Sequence, residues 1–536
     1  MSTGLLHHGK LLSVTSAAEH ESNLVLFIRH RHAAERFSRQ LWDQKESIEA
    51  LVRSHLRLRK GDRCIVLPRD TWIQGGFNIC VLVEVIAAGS STKLVFRCPM
   101  PHKLAERQYP GTIDEKVRCE VAAYVWMQEH CFDVRIPSLY AFGFMDGSQF
   151  IHIDQTPCHK RISRFLRRWM HRILGLPLLS NYSRNISTPA VDTAYMLLEY
   201  IGPQTGEMLS LTWAHYMDDA KRRDRLFRGM SRIMLSLARL PQPHIGSFRF
   251  NPSNATITLT NRPLMCTTMI FEHSGTPRTI PPDTIYQTTE SFVSEMLTLH
   301  DNYLLHDRHA VRNEDDARER IAIRTLLRAL THHFILRGRR HGPFLLQLTD
   351  LHQSNIFVDA DWNVTCLIDL EWLCALPAEM LSVPYWLTNC SIDNIIDERY
   401  DQFNEARQVF LEAMDEEAQS IRQEHSIPVT VTMRDSWLSK GVWFWACIRS
   451  VNAWLFVFED HILPKFSANK GLVDDLAKVS AFWRENIEKI VEAKVQDEAK
   501  YQDELQCLLS DQGAREVENI DEPCLKNAAL GRGEAA

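Results

Sequence analysis

The stretch from Leu348 to Trp372, "LTDLHQSNIFVDADWNVTCLIDLEW", constrains this chain more than any other segment. It sets two aspartates and an asparagine among β-forming residues, where carboxylates and amides weaken a strand. Something other than folding is the expected reason for them. "FLLQL" (344–348), "NIFV" (355–358) and "TCLID" (365–369) read as three short strands, the last two joined by the turn "DADWN". A hairpin centred on Trp362 puts Asn355 and Asp369 seven residues to either side, and therefore opposite each other. Facing β-carbons in such a pair are roughly 4.5–5.5 Å apart. Asp350 lies five residues before Asn355, in the loop entering the same end.

Three hard oxygen groups at one rim suit Mg²⁺, which prefers octahedral oxygen coordination and keeps waters and phosphate oxygens as further ligands. Asp-x-x-x-x-Asn followed by Ile-Asp on the next strand is also the pattern of kinase-type phosphoryl transfer. One aspartate there orients the acceptor hydroxyl, while the asparagine and second aspartate hold metal against the phosphates. The competing reading is a surface hairpin whose Asp and Asn only form turns. The second aspartate, placed on a strand, favours the site.

At 536 residues the chain exceeds one compact core, so two or three folded units are expected. Its apolar content of 45% and charged content of 24% are those of a soluble globular protein. A net charge of -6 gives no reason to expect nucleic acid as a partner. Thirteen cysteines without one Cys-x-x-Cys pair, behind a start lacking a long apolar core, predict reduced thiols and a cytoplasmic location. The most apolar window, Gly441 to Phe458, is broken by Arg449 and Asn452 and predicts a buried helix rather than a membrane span.

Apolar spacing predicts an amino-terminal extension over 1–60 with a helix at 33–58. Strands follow at 64–68, 79–85, 93–99 and 195–200, with a helix at 115–130 among them. Helices at 226–240, 291–306 and 317–335 come next, are interrupted by the opening hairpin, and resume through Phe466. A long charged helix is expected at 472–509 and a disordered tail over 511–536. Strands first and helices second predict an α+β architecture of two lobes, a β-rich one over 61–203 and a larger helical one over 204–470.

"LTDLHQSNIFVD" with "CLIDLEW" resembles the catalytic segment of the aminoglycoside phosphotransferase and choline kinase-like family, in particular its large fungal branch. "GGFNICVLVEV", "KLVFRCP", "EKVRCEVAAYVWMQEH", "GSFRF", "TNRPL" and "RHGPFLLQLTDLHQSN" resemble that branch in the same order, from about Asp62 to about Phe466. The resemblance implies a two-lobed protein-kinase-like fold, Asp350 as catalytic base, Asn355 and Asp369 as Mg²⁺ ligands, and ATP as phosphate donor. The implied acceptor is a hydroxyl on a small molecule, because no activation segment follows Asp369. Arg97, ending an apolar strand, is then expected on the phosphates. Glu120 on the next helix would be its partner. "QGGFN", with Gly75, Gly76 and Asn78, is expected to fold over the phosphates. The chain departs from the family at Leu348, where a histidine often stands. That departure keeps a second reading open: a nucleotide-binding interaction protein of the same fold with little or no catalysis.

One segment has no place in such a fold. Residues 158–185 form a basic insertion between two strands, with Ile162, Phe165, Leu166, Trp169, Met170, Ile173 and Leu174 at helical spacing. Lys160, Arg161, Arg164, Arg167, Arg168 and Arg172 surround them, and no acid occurs from Gln155 to Val191. The plain expectation is a helix packed by its apolar stripe with its arginines in water. The other is a helix laid on an anionic membrane or an acidic partner. His300, His306 and His309 lack metal-ligand spacing, and Trp443, Trp445, Trp454, Phe456 and Phe458 read as core residues that could also line an acceptor pocket.

Overall fold

Branched apolar residues between Arg63 and Glu199 build one antiparallel sheet. The computed structural model describes residues 5–7, 10–87, 89–185, 190–420, 427–467 and 478–518. Asn78–Ala87 and Ser90–Pro99 form the centre of the sheet, paired from Asn78 opposite Pro99 to Ala87 opposite Ser90. Arg63–Val66 and Ile73–Gln74 flank the first of these. Beyond the second come Tyr195–Glu199, Leu139–Gly143, Gln149–His152 and Tyr182–Asn185. Tyr195–Glu199 therefore enters late in the chain yet inserts between Ser90–Pro99 and Leu139–Gly143.

Helices cover both faces of this sheet, which is why its central strands are apolar almost without alternation. Thr112–His130 buries Val121, Tyr124 and Val125 with Phe142, Met196 and Leu198 on one side. On the other, Phe37, Leu41, Ile48, Leu51 and Val52 pack on Val81, Val83, Phe96 and Leu197. The helix expected at 33–58 is in fact two, Leu24–Asp43 and Lys45–Leu56, separated at Gln44. Asn23 starts the first by accepting the Leu26 N–H at 2.9 Å.

From Leu209 helices dominate, and three long ones are opened by a side-chain cap: Asp219 before Ala220–Ala238, Thr288 before Thr289–His306, Asn313 before Glu314–Phe334. Three antiparallel pairs interrupt them. Ser247–Asn251 pairs with Thr256–Asn261, and Ile356–Val358 with Val364–Leu367. Leu345–Leu348 pairs with Leu373–Leu376, the apolar run after Trp372. The molecule is thus a mixed α+β protein with antiparallel sheets. The apolar window at Gly441 resolves into two short helices, Gly441–Arg449 and Trp454–Val457. No helix among the described residues is long and apolar enough to cross a membrane.

The last helix runs over Ile487–Glu518, later at both ends than the expected 472–509. Its Tyr501, Leu505 and Leu509 close on Ala17, Leu24, Val25 and Ile28, so a helix that reads as long and charged is held by the opposite end of the chain. Residues 511–518 of the expected tail are helical; the rest of that tail lies outside the described residues, as do 472–477.

The insertion reverses the plain expectation. Helix Cys158–Ile173 turns Arg164 and Arg168 inward and its apolar stripe outward; its one buried residue is Arg164. Arg164 donates to the carbonyls of Ser180 (2.9 Å) and Tyr182 (2.7 Å), while Arg168 and Arg172 both grip Glu129. Two carbonyls and one carboxylate, all near the end of neighbouring elements, decide which side of the helix faces the protein.

Candidate functional site

The hairpin register differs by one residue from a turn centred on Trp362. Ile356 faces Leu367 and Phe357 faces Cys366, and a bulge then sets Val358 opposite Val364. Asn355 therefore lies across from Ile368, whose N–H it accepts at 2.9 Å, and not from Asp369. The cause is the turn. Asp359 accepts the N–H groups of Asp361 (3.0 Å) and Asn363 (2.9 Å), and Trp362 takes a φ of 64° with its ring stacked on Trp213. Asp369 reaches the site through its own backbone, a left-handed kink with φ of 60° that aspartate tolerates better than most residues.

The loop entering the hairpin is held at several points. Thr349 donates both its N–H and its hydroxyl to the Trp372 carbonyl, each at 3.1 Å. Trp386 donates to the Leu351 carbonyl at 2.9 Å. His352 accepts the Ser354 N–H at 3.2 Å, a structural role, and its burial keeps its pKa low. Asn355 Nδ2 donates to the Asp350 carbonyl at 2.9 Å. Among the described residues no donor takes Asn355 Oδ1, so that atom is available to a cation.

Arg97 and Glu120 meet as the sequence predicts, at 3.2 Å. They belong to a larger cluster. Arg97 also contacts Asp369 at 2.5 Å and Glu371 at 2.9 Å. Lys116, fully buried one turn before Glu120, bonds Glu120 at 2.9 Å and Glu371 at 2.6 Å. Asn78 bridges the same groups, donating to Glu371 at 2.7 Å and accepting from Lys116 at 2.8 Å. Two cations thus face three carboxylates, and one negative charge is left uncompensated.

Protonation follows from that imbalance. Burial opposes the Glu371 charge, but Lys116 and then Arg97 outweigh it and bring its pKa down to about 2. Asp369 is pushed up to about 6, first by burial, against the pull of Arg97 and with the help of Glu371 and Glu120. Arg97 stays charged because Asp369, Glu120 and Glu371 together exceed the cost of burying it. Asp350 is raised to about 7 by burial and then by Asp369 and Glu371.

Asp350 borders a cavity of about 160 Å³. Met265, Cys266, Tyr385 and Trp386 line it, together with Arg449 at the end of its helix. Asp350 is the one carboxylate among the lining residues. The Arg449 guanidinium makes no ion pair among the described residues; it reaches Ser382 Oγ at 3.4 Å, and burial lowers its pKa. The tryptophans Trp443, Trp445 and Trp454 are core and do not line this cavity.

The predicted residues thus distribute unevenly. Arg97, Glu120, Asn78 and Asp369 converge, Asn355 and Asp350 share the adjoining loop, and Gly75 and Gly76 sit exposed at a hairpin tip. The Gly75 N–H is taken by the Asn78 carbonyl at 2.9 Å, which leaves it unable to face a phosphate in this conformation. Next to that tip, Phe77 packs edge-on against Trp372 with ring centroids 4.9 Å apart. Lys116 completes the cluster without having been singled out; Glu371, which in the sequence reads either as orienting the metal site or as solvated, is buried within it. The Lys116–Glu120 spacing of one helical turn was the available signal, yet such pairs mostly decorate helix surfaces.

Among the described residues one group of acids has oxygens close enough to share a cation, Glu120, Asp369 and Glu371. Arg97 and Lys116 already occupy its inner side. The donors that fit Mg²⁺ are therefore the outer ones: the Asp369 oxygen not held by Arg97, on a side chain a quarter exposed, and Asn355 Oδ1. His300 and His309 do not converge: the first bonds the Ile448 carbonyl at 3.1 Å, the second Glu498 at 2.8 Å. Neither a comparison with protein-family models nor one with curated proteins finds a match for this chain.

Proposed function

We propose that the chain is a small-molecule phosphotransferase of two-lobed, protein-kinase-like fold, using ATP and Mg²⁺. The observation that carries this reading is the charge cluster. A guanidinium on the strand Ser90–Pro99 and a carboxylate on the helix that follows it pair beside an aspartate that ends the catalytic-type hairpin. Kinase-like sites need that trio, the strand cation, its helix partner and the metal-holding aspartate. The excess negative charge around Asp369 supports a bound cation in the same place.

When bound, Mg²⁺ would neutralise phosphate oxygens and leave the transferring group open to attack. The chain's own residues divide the remaining work. Asp369 and Asn355 Oδ1 would hold the cation. Arg97, kept charged by its acids, stands at the phosphate side of Asp369. Asp350 faces the cavity, orients the acceptor hydroxyl and accepts its proton, a task suited to a carboxylate whose pKa has risen to about 7. Arg449 lines that cavity with Asp350 but makes no ion pair among the described residues, so the acceptor is best read as a hydroxy compound whose anionic group the guanidinium meets.

A nucleotide-binding protein with slow or no transfer is the second reading. It is favoured by Phe77 closing on Trp372 and by the triple hold on Arg97. Full-length protein with Mg²⁺-ATP and a pool of hydroxylated metabolites, followed by ³¹P NMR, separates the two. A new phosphomonoester signal, absent with Asp350→Asn, supports transfer. Nucleotide binding with no new ester from any acceptor supports the second reading.

A further inference from the structure

Helix Cys158–Ile173 leaves an apolar face uncovered. Ile162, Phe165, Leu166, Trp169, Met170, Ile173 and Leu174 are each between 49% and 68% exposed, and Leu176 continues the patch at 48%. Soluble proteins seldom leave so many large apolar side chains contiguous and open without a binding purpose. The face is held outward, because Arg164, Arg168 and Arg172 fix the opposite side to Ser180, Tyr182 and Glu129.

We infer that this helix docks the protein on an anionic lipid surface, lying in the plane of the interface. Both margins of the apolar face are basic. Arg161 borders one side, Lys160 and Arg167 the other, and all three are exposed, while Arg172 beside Arg161 is held by Glu129. From Gln155 to Val191 there is no acid to repel lipid phosphates. An outward apolar stripe with basic edges and an aromatic at its centre is the arrangement by which amphipathic helices sit among anionic headgroups. A second copy of the chain fits worse, since two such faces brought together oppose basic margins to basic margins. Glu129 is one residue from the end of helix Thr112–His130, so the docked segment is braced on the same helix that carries Lys116 and Glu120.

The test uses full-length protein in vesicle co-sedimentation, comparing pure phosphatidylcholine with phosphatidylcholine containing about one-third phosphatidylserine. Wild type is expected to sediment with the anionic vesicles, weakly with the neutral ones, and less as salt rises. The double variant Phe165→Glu/Trp169→Glu should lose binding by about tenfold or more while unfolding at the same temperature, because both side chains already face solvent. Lys160→Glu/Arg167→Glu should remove the preference for anionic vesicles. The inference is overturned if wild type ignores both vesicle types or if the apolar-face variant binds as wild type does. It is equally overturned if sedimentation velocity without lipid shows a dimer that Phe165→Glu/Trp169→Glu dissolves, which would assign the face to a second copy.

Discussion

Arg97 and Asp369 stand 272 positions apart in the chain, and their side chains meet at 2.5 Å, the arginine nearly buried and the aspartate a quarter exposed. This contact joins the sheet to the hairpin, so it is a stability element, and under the proposed function it borders the place a metal would take. Removing one member of a buried ion cluster strands its partners, at a cost of roughly 3–5 kcal/mol. Arg97→Met should therefore lower the urea midpoint markedly. The same variant frees Asp369, so Mg²⁺ without nucleotide should raise its melting temperature more than it raises that of wild type. An unchanged midpoint would show that the cluster carries no weight in folding.

Asp350 should act in the opposite sense. Its native pKa is raised from 3.8 to about 7, so between those values the folded chain keeps a proton that the unfolded chain has released. Stability from this group is present at low pH and is lost as pH climbs through that window. Asp350→Asn removes the charge, so it should stabilise the protein at pH 8 by an amount on the order of a few kcal/mol, and not at all near pH 4. Thermal unfolding at both values measures it. A less stable variant at pH 8 would mean that the carboxylate makes an interaction the burial argument misses.

Asp350, Asn355 and Asp369 were legible because polar residues inside β-forming runs call for a reason beyond folding. Their arrangement was only half legible. The bulge after Phe357 and the left-handed Trp362 and Asp369 carry no compositional mark, since glycine or asparagine would ordinarily announce such backbone. Lys116 escaped because a Lys and a Glu one helical turn apart look the same on a surface as in a core. The insertion shows the same limit: spacing reveals an apolar stripe and a basic stripe, and only Glu129, Ser180 and Tyr182 decide which of them faces inward.

Three histidines from separate elements set an acid limit on the fold. His30 packs against His102 at a tilt and against His273 edge-on, at centroid distances of 5.3 and 4.9 Å. Burial, then Lys103, brings His102 down from 6.5 to about 4 and His273 to about 3, and takes His30 lower still; Arg36 adds to the effect on His102. All three are neutral in the native chain and charged in the unfolded one once pH drops below 6.5. Their stabilising contribution is complete above 6.5 and disappears as pH falls toward about 3 to 4. Unfolding free energy measured across that range should decline with acid, and His30→Leu should decline less steeply. Parallel slopes would clear the trio of responsibility.

Arg449 bears on what the cavity accepts. A half-buried guanidinium that lines a pocket and makes no ion pair of its own favours a ligand that brings a carboxylate, and a charge-assisted hydrogen bond is worth about 1.5–3 kcal/mol. Asp350 is the lone acid of the lining, and under the proposed function it is taken up by the acceptor hydroxyl, which leaves little hold for an amine. With a non-hydrolysable ATP analogue and Mg²⁺ present, hydroxy acids should raise the melting temperature of wild type and hydroxy amines should not. Arg449→Met should weaken the hydroxy-acid response by about ten- to a hundredfold in half-saturating concentration, with nucleotide affinity unchanged. Arg449→Lys, which keeps charge but not the planar fork, should fall between. If hydroxy amines give the larger shift and Arg449→Met leaves it intact, the guanidinium has a structural task and the acceptor is held by Asp350 and the aromatic wall alone.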